Sequence, residues 1–291
     1  MKRIYFFLII LLIAFSCGRQ SGHSDNKIIT VSIAPFKYFV EAIAGSDYTV
    51  NVMVPAGSNP HIYEPFPEQI SKLRKSDAYI SNGYLGFEIT WLKRFYETNR
   101  KMKRLDLSLD IDLIKSDHRH ESDHLEGADP HYWMSPKNAK LISSGIKKLM
   151  IKLDPQNSRQ YENNYSQLVA RIEELDRKAE VLFNSVERRS FMIFHPNLAY
   201  FARDYGLEEI SVEYEGKEPT PSRLKELIDR ARNENLGVIL VQKEYDTRNA
   251  KAIASETGAK VVIIDPLSED WFSATLDIID ILYDDFTREN K

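Results

Sequence analysis

Short apolar runs with strand character recur along the chain, and amphipathic segments with helical spacing separate them. Residues 28–33, 48–54 and 78–81 form a first group of such runs; residues 191–194, 210–214, 238–241 and 261–264 form a second. They are short, rich in β-branched and aromatic residues, and bounded mostly by turn-forming residues, the pattern of buried strands. Helical spacing is read over 35–44, 67–75, 221–233 and 247–257, three of these opening at or beside a proline. Strands alternating with helices predict an α/β fold with mostly parallel sheets flanked by helices.

The two strand groups are separated by a different pattern. Tyr161, Tyr165, Leu168, Ile172, Leu175, Ala179, Leu182 and Val186 follow one another at alternating steps of four and three. That spacing puts all of them on one face of a helix over 155–187. Such a helix is about 50 Å long at 1.5 Å per residue. A coiled-coil dimer is the competing reading, but one isolated amphipathic helix between two α/β halves more simply packs across both. The chain then divides into an N-terminal α/β lobe over 27–153, a linking helix over 154–188 and a C-terminal α/β lobe over 189–291.

The first residues follow neither pattern. Lys2 and Arg3 precede an almost wholly apolar run from Ile4 to Phe15. The run is shorter than the roughly 20 residues that span a bilayer, and fits the core of a secretory signal peptide over 1–16. Cys17, the only cysteine, follows at once. Ala14-Phe15-Ser16-Cys17 resembles the lipobox of bacterial lipoproteins, in which the cysteine is lipidated. The resemblance implies a lipid anchor at Cys17, a polar tether over 17–26, and a place in the cell envelope on the periplasmic or surface side.

Composition adds limits. Hydrophobic residues make up 43% of the 291 and charged residues 28%, with a net charge of −4. This is the balance of an ordinary globular protein, and no basic stretch interleaved with aromatics points to nucleic acid.

The candidate chemistry lies in the histidines. His61, His131, His195 and Asp265 each follow a segment read as a strand or strand end, two in each half of the chain, and each has a proline beside it. Three imidazoles and a carboxylate make a full tetrahedral ligand set for zinc. Residues so scattered meet only if the fold gathers strand ends at one cleft, where open α/β sheets bind ligands. Catalysis fits less well. A catalytic zinc keeps an open position, whereas Asp265 fills the fourth place here. The His-Glu-x-x-His motif and the nucleophile-elbow and phosphate-loop motifs are absent. Glu64 is available either as a base, in a zinc-dependent hydrolase, or to orient a ligand or a loop amide, and a binding protein is the better reading. Residues 117–126 carry His118, His120 and His124 among four acids without apolar periodicity. They read as a surface loop that either is merely solvated or serves as a weak auxiliary zinc collector.

These motifs, in this order, resemble the solute-binding lipoproteins of zinc and manganese ABC transporters, the ZnuA/TroA type, over nearly the whole mature chain. The resemblance rests on His61-Ile-Tyr-Glu-Pro65, Asp129-Pro-His-Tyr-Trp-Met-Ser-Pro136, Phe194-His195 with Tyr200-Phe-Ala-Arg-Asp-Tyr-Gly-Leu207, Glu218-Pro-Thr-Pro-Ser222, and the segment from Thr257 to Leu267. It implies two α/β lobes joined by one long rigid helix, with a divalent cation held in the interlobe cleft by His61, His131, His195 and Asp265. It further implies a monomer that delivers the cation to a permease driven by an ATPase. Manganese-type members commonly have Glu where this chain has His195, and an all-imidazole trio favours zinc over manganese. Manganese or iron uptake and adhesion remain the other readings. Gln242 stands where an acidic residue is common in the family.

Overall fold

The computed structural model describes residues 27–115, 127–213 and 216–288. The signal segment over 1–16, Cys17 and its tether, and the loop histidines His118, His120 and His124 lie outside the described residues.

Two four-stranded sheets carry the architecture. In the first, β1 (Ile28–Ile33), β2 (Thr49–Val54), β3 (Ala78–Ser81) and β4 (Lys103–Asp106) are ordered β2-β1-β3-β4. In the second, β5 (Ser190–Ile193), β6 (Glu208–Ser211), β7 (Val238–Gln242) and β8 (Lys260–Ile264) are ordered β6-β5-β7-β8. Every ladder in both sheets is parallel. The two halves thus repeat one topology, in which the chain crosses from one side of the first strand to the other. Parallel sheets need helices on both faces, and the central strands are accordingly buried almost throughout.

The strand expectations hold at most positions, with two differences. β4, Lys-Arg-Leu-Asp, is an edge strand whose first two residues are exposed, so it has no apolar run to betray it. β6 begins two residues earlier than the run at 210–214, because Glu208 and Glu209 pair with Ser190 and Phe191 in the ladder despite their charge. The helices α1 (Ala34–Ala44), α2 (Pro67–Leu73), α3 (Gly86–Thr98) and α4 (Pro136–Leu153) flank the first sheet region. Ser135 caps α4 by accepting the Asn138 N–H at 3.1 Å, with Pro136 in the first turn.

The long helix is α5, Ser158–Asn184, entered through a 3-10 turn at Pro155–Asn157. It stops two residues short of Val186, which is nevertheless buried. Tyr161, Leu168, Ile172, Leu175 and Ala179 are buried, Tyr165 and Leu182 partly so, and all belong to one hydrophobic core that reaches from β1 to the last helix. After it come α6 (Ala199–Tyr205), α7 (Pro221–Asn233), α8 (Arg248–Thr257) and α9 (Trp271–Phe286). A smaller core, including Met192, Ile210, Leu227 and Ile253, fills the other side of the second sheet.

The halves are also stitched together directly. Trp271, at the start of α9, packs its ring 5.0 Å from that of Phe39 in α1. Its indole N–H donates to the Trp133 carbonyl at 2.7 Å, while the Trp133 indole donates to the Pro266 carbonyl at 2.9 Å. Tyr200 of α6 donates to the Asp129 carbonyl at 2.7 Å and accepts the Ile114 N–H at 3.1 Å. These bonds, with the shared helix α5, hold the strand ends of the two sheets toward one another.

Candidate metal centre

His61 sits in the loop between β2 and α2, where Pro60, Pro65 and Pro67 restrict the backbone. The Asn59 side chain accepts the His61 N–H at 2.9 Å. The loop is also pinned to the start of α3: the Phe87 N–H donates to the Pro60 carbonyl at 3.2 Å. Gly86 makes that approach feasible, since a Cβ there would stand 2.4 Å from the His61 carbonyl oxygen.

His131 does not follow a strand, contrary to expectation. β4 ended at Asp106, and only an isolated bridge between Lys115 and Ala128 precedes it. A 3-10 turn at Tyr132–Met134 and the Asp129 carboxylate hold it instead. One Asp129 oxygen accepts both the His131 backbone N–H and its ring Nδ1–H, each at 2.8 Å. Burial pushes the Asp129 carboxyl up, but the charge and hydrogen bonds of His131 outweigh it, and the group is held below its ordinary value.

His195 follows β5 by one residue. Its Nδ1 lies 3.1 Å from the carboxylate of Glu213, two residues past β6. Its ring stacks on Tyr245, with centroids 4.9 Å apart and planes 14° from parallel. Gln242 holds its backbone from both sides: Oε1 accepts the His195 N–H at 3.3 Å and Nε2 donates to the His195 carbonyl at 2.6 Å. Only an amide does both, since a carboxylate has no hydrogen to donate. Burial lowers the His195 pKa, against the opposing hydrogen bond to Glu213, so the neutral ring is favoured.

With Nδ1 of His131 and of His195 turned to carboxylates, the Nε2 atoms of these rings face inward. The three rings meet edge to face with centroids 5.0–5.4 Å apart, and one nitrogen from each falls within 4.8 Å of the others. The nitrogens of His61 and His195 approach to 3.2 Å. A tetrahedron with bonds of about 2.0–2.1 Å has edges of roughly 3.3 Å, so this spacing suits two ligands of one zinc-sized ion. The adjoining cavity measures about 20 Å³. That is room for a water or a single ion, far below the several hundred Å³ of an organic ligand's pocket.

The remaining expected site residues are placed differently. Asp265 follows β8 directly, as its sequence position indicates, but it is not among the clustered ligand atoms; its carboxylate is engaged by Lys243. Glu64 is exposed. The carboxylates that touch the rings of His131 and His195 are Asp129 and Glu213. Sequence reasoning singled out neither, although Asp129 stands two residues before its histidine and Glu213 just past a strand.

Comparison with known proteins meets this geometry. The family model described as zinc-uptake complex component A, periplasmic (ZnuA), matches residues 29–284. The chain belongs to this family. A crystal structure of ZnuA superposes with a TM-score of 0.84 at 37% identity, covering 90% of this chain and all of that one. A putative metal-binding protein of Chlamydia muridarum is 30% identical over 91% of this chain and 95% of its own length. The manganese ABC transporter substrate-binding lipoprotein PsaA of Streptococcus anginosus is 26% identical over 92% and 90%. As a ZnuA-family member the chain is a metal-binding solute-binding protein of an ABC transporter, a transport component that works with a permease and an ATPase. Two parallel-sheet lobes flanked by helices and joined by a long helix are the architecture it shares with ZnuA. Among the described residues no helix is long and apolar enough to cross a membrane.

Proposed function

We propose that this ZnuA-family protein captures Zn2+ with His61, His131 and His195 and hands it to an ABC importer, without catalysing a reaction. The observation that carries this reading is the convergence of three imidazole nitrogens within 4.8 Å. Imidazole suits zinc, whereas manganese favours oxygen-rich sites. Carboxylates on the outer nitrogens of His131 and His195 fix the rings and raise their basicity, as metal-bound histidines require. The size of the cavity supports binding over hydrolysis, because nothing larger than an ion or water fits.

Relatives named for manganese and iron match at 26% and 29% identity, so metal choice is the point to test. Metal-free protein titrated with zinc in the presence of competing manganese is expected to take up one zinc at high affinity. The His195→Ala variant is expected to lose most of that affinity; unchanged zinc binding in it overturns the assignment.

The signal peptide over 1–16 and lipidation at Cys17 complete the reading: the mature protein is a monomer tethered to the envelope membrane, facing the periplasm or the outside. Mass spectrometry of membrane-extracted protein, against a Cys17→Ala variant released in soluble form, tests the anchor. His118, His120 and His124 act as an auxiliary collector, so deleting 117–126 leaves the high-affinity site intact.

A further inference from the structure

Asn82, in the turn between β3 and α3, is completely buried, and its N–H, its carbonyl and both ends of its amide have partners. The N–H donates to the buried carboxylate of Glu88 at 3.1 Å, and the side-chain oxygen accepts the Tyr84 N–H at 3.1 Å. That second bond fixes which way the amide points. The side-chain NH2 then donates to the Pro130 carbonyl at 2.9 Å, while the Asn82 carbonyl accepts the Tyr132 hydroxyl at 2.8 Å. Pro130 and Tyr132 are the two chain neighbours of His131. The same turn reaches the other histidine of this lobe, since Phe87 donates its N–H to the carbonyl of Pro60, the residue before His61. The turn itself has little freedom. Glu88 also accepts the Gly83 N–H at 2.6 Å, and Gly83 has φ +98°, with a Cβ there standing 2.8 Å from the Asp106 carboxylate.

We propose that the segment from Asn82 to Phe87 sets the spacing of His61 and His131, and that Asn82 is the positioning residue for His131. This rests on the three-histidine reading above. A ligand already held where the ion needs it costs no ordering when the ion binds, so a fixed spacing is worth affinity. Asp129 orients the His131 ring, but it belongs to the same loop and cannot place that loop against the one carrying His61. Tyr200 holds the Asp129 carbonyl from the other half of the molecule. Asn82 and Phe87 belong to neither histidine loop and touch both, so one turn fixes the separation of the two rings, whose centroids lie 5.4 Å apart. The position needs an acceptor for Tyr84 and a donor for Pro130 on one short side chain. Asparagine supplies both; aspartate keeps the acceptor but has no hydrogen for the Pro130 carbonyl and sets a negative charge against it.

The test combines zinc affinity by chelator competition, visible absorption of the Co2+-loaded protein and the imidazole NMR signals of His131 in metal-free protein. The variants are Asn82→Asp, Tyr132→Phe and Ile43→Ala. Ile43 is buried in the same core but near the end of α1, away from the strand tips, and controls for lost stability alone. Asn82→Asp is expected to weaken zinc binding about tenfold and to alter the cobalt spectrum. Its added negative charge would by itself attract a cation, so weaker binding reports displacement of His131. Tyr132→Phe keeps the ring and removes only the bond to the Asn82 carbonyl; it is expected to weaken binding about threefold and to shift the His131 signals. Ile43→Ala is expected to melt at a lower temperature with normal zinc affinity and cobalt spectrum. Unchanged affinity and spectrum in Asn82→Asp, or in Tyr132→Phe if Asn82→Asp does not fold, overturns the proposal, and so does an equal loss of affinity in Ile43→Ala. Failure of the three-histidine reading is distinct: the unaltered protein then binds no zinc, or His195→Ala binds it unchanged. The metal-free His131 signals still decide in that case, and unshifted signals in Tyr132→Phe overturn the positioning role.

Discussion

The ring nitrogens of His61 and His195 lie 3.2 Å apart although 134 residues of chain separate them. One comes from the loop after β2 and the other from the tip of β5, so each sheet contributes one side of the contact. Two such nitrogens approach this closely at no cost only if a proton or a metal ion lies between them. The consequences concern what holds them there.

Glu213→Gln replaces the carboxylate on the outer nitrogen of His195 by a neutral acceptor of the same size. The fold is expected to persist, and zinc affinity to fall about 10–100-fold, the usual cost of removing such a partner. Chelator competition at constant pH measures it.

Zinc binding is expected to weaken with acidification, because protons compete for the ligand nitrogens. Burial holds the His195 pKa below 6.5, so this ring is neutral and ready for metal at neutral pH and is protonated only in more acidic solution. Asp129, held below 3.8, stays ionised as the partner of His131 over the same range. Zinc titrations between about pH 7.5 and about pH 5 check the trend, and a flat profile contradicts imidazole ligation.

Gly86→Ala puts a methyl group 2.4 Å from the His61 carbonyl oxygen. Overpacking of this kind costs about 1–3 kcal/mol. The cheapest relief is movement of the His61 loop, so both melting temperature and zinc affinity are expected to drop, the latter without any ligand having been removed. Thermal melts with and without zinc separate the two effects.

Glu88 is buried and accepts the N–H groups of Asn82 and Gly83 and the Tyr79 hydroxyl. Burial raises its pKa to about 7, and raises that of Glu209, which accepts the Leu198 N–H, to about 8. A raised folded pKa makes a contribution to stability that is fully present below the unfolded value of 4.5 and is lost as pH rises through the folded value. Metal-free protein is therefore expected to lose part of its stability between about pH 5 and about pH 8, and Glu88→Gln to lose less over the same interval. Denaturant unfolding at the two pH values checks this.

The division between sequence and structure follows the range of the forces involved. Alternation of apolar runs, proline at helix starts and the apolar stripe from Tyr161 to Val186 are local, and they made the two parallel-sheet lobes and the long connecting helix legible in the sequence. β4 was not, because an edge strand need not be apolar. His61, His131 and His195 were legible as candidates because each stands beside a proline in a short loop, and few other histidines remained. What holds them was not. Glu213, Gln242 and Tyr245 act through contacts that only folding creates, since the distance from His195 to Glu213 or Gln242 depends on which strands lie side by side. The surroundings of Asp265 belong to the same class: its position after β8 marks it as a ligand candidate, and only the pairing of β7 with β8 brings Lys243 to its carboxylate. Local pattern named the residues able to hold a metal; parallel strand order determined which atoms face one another.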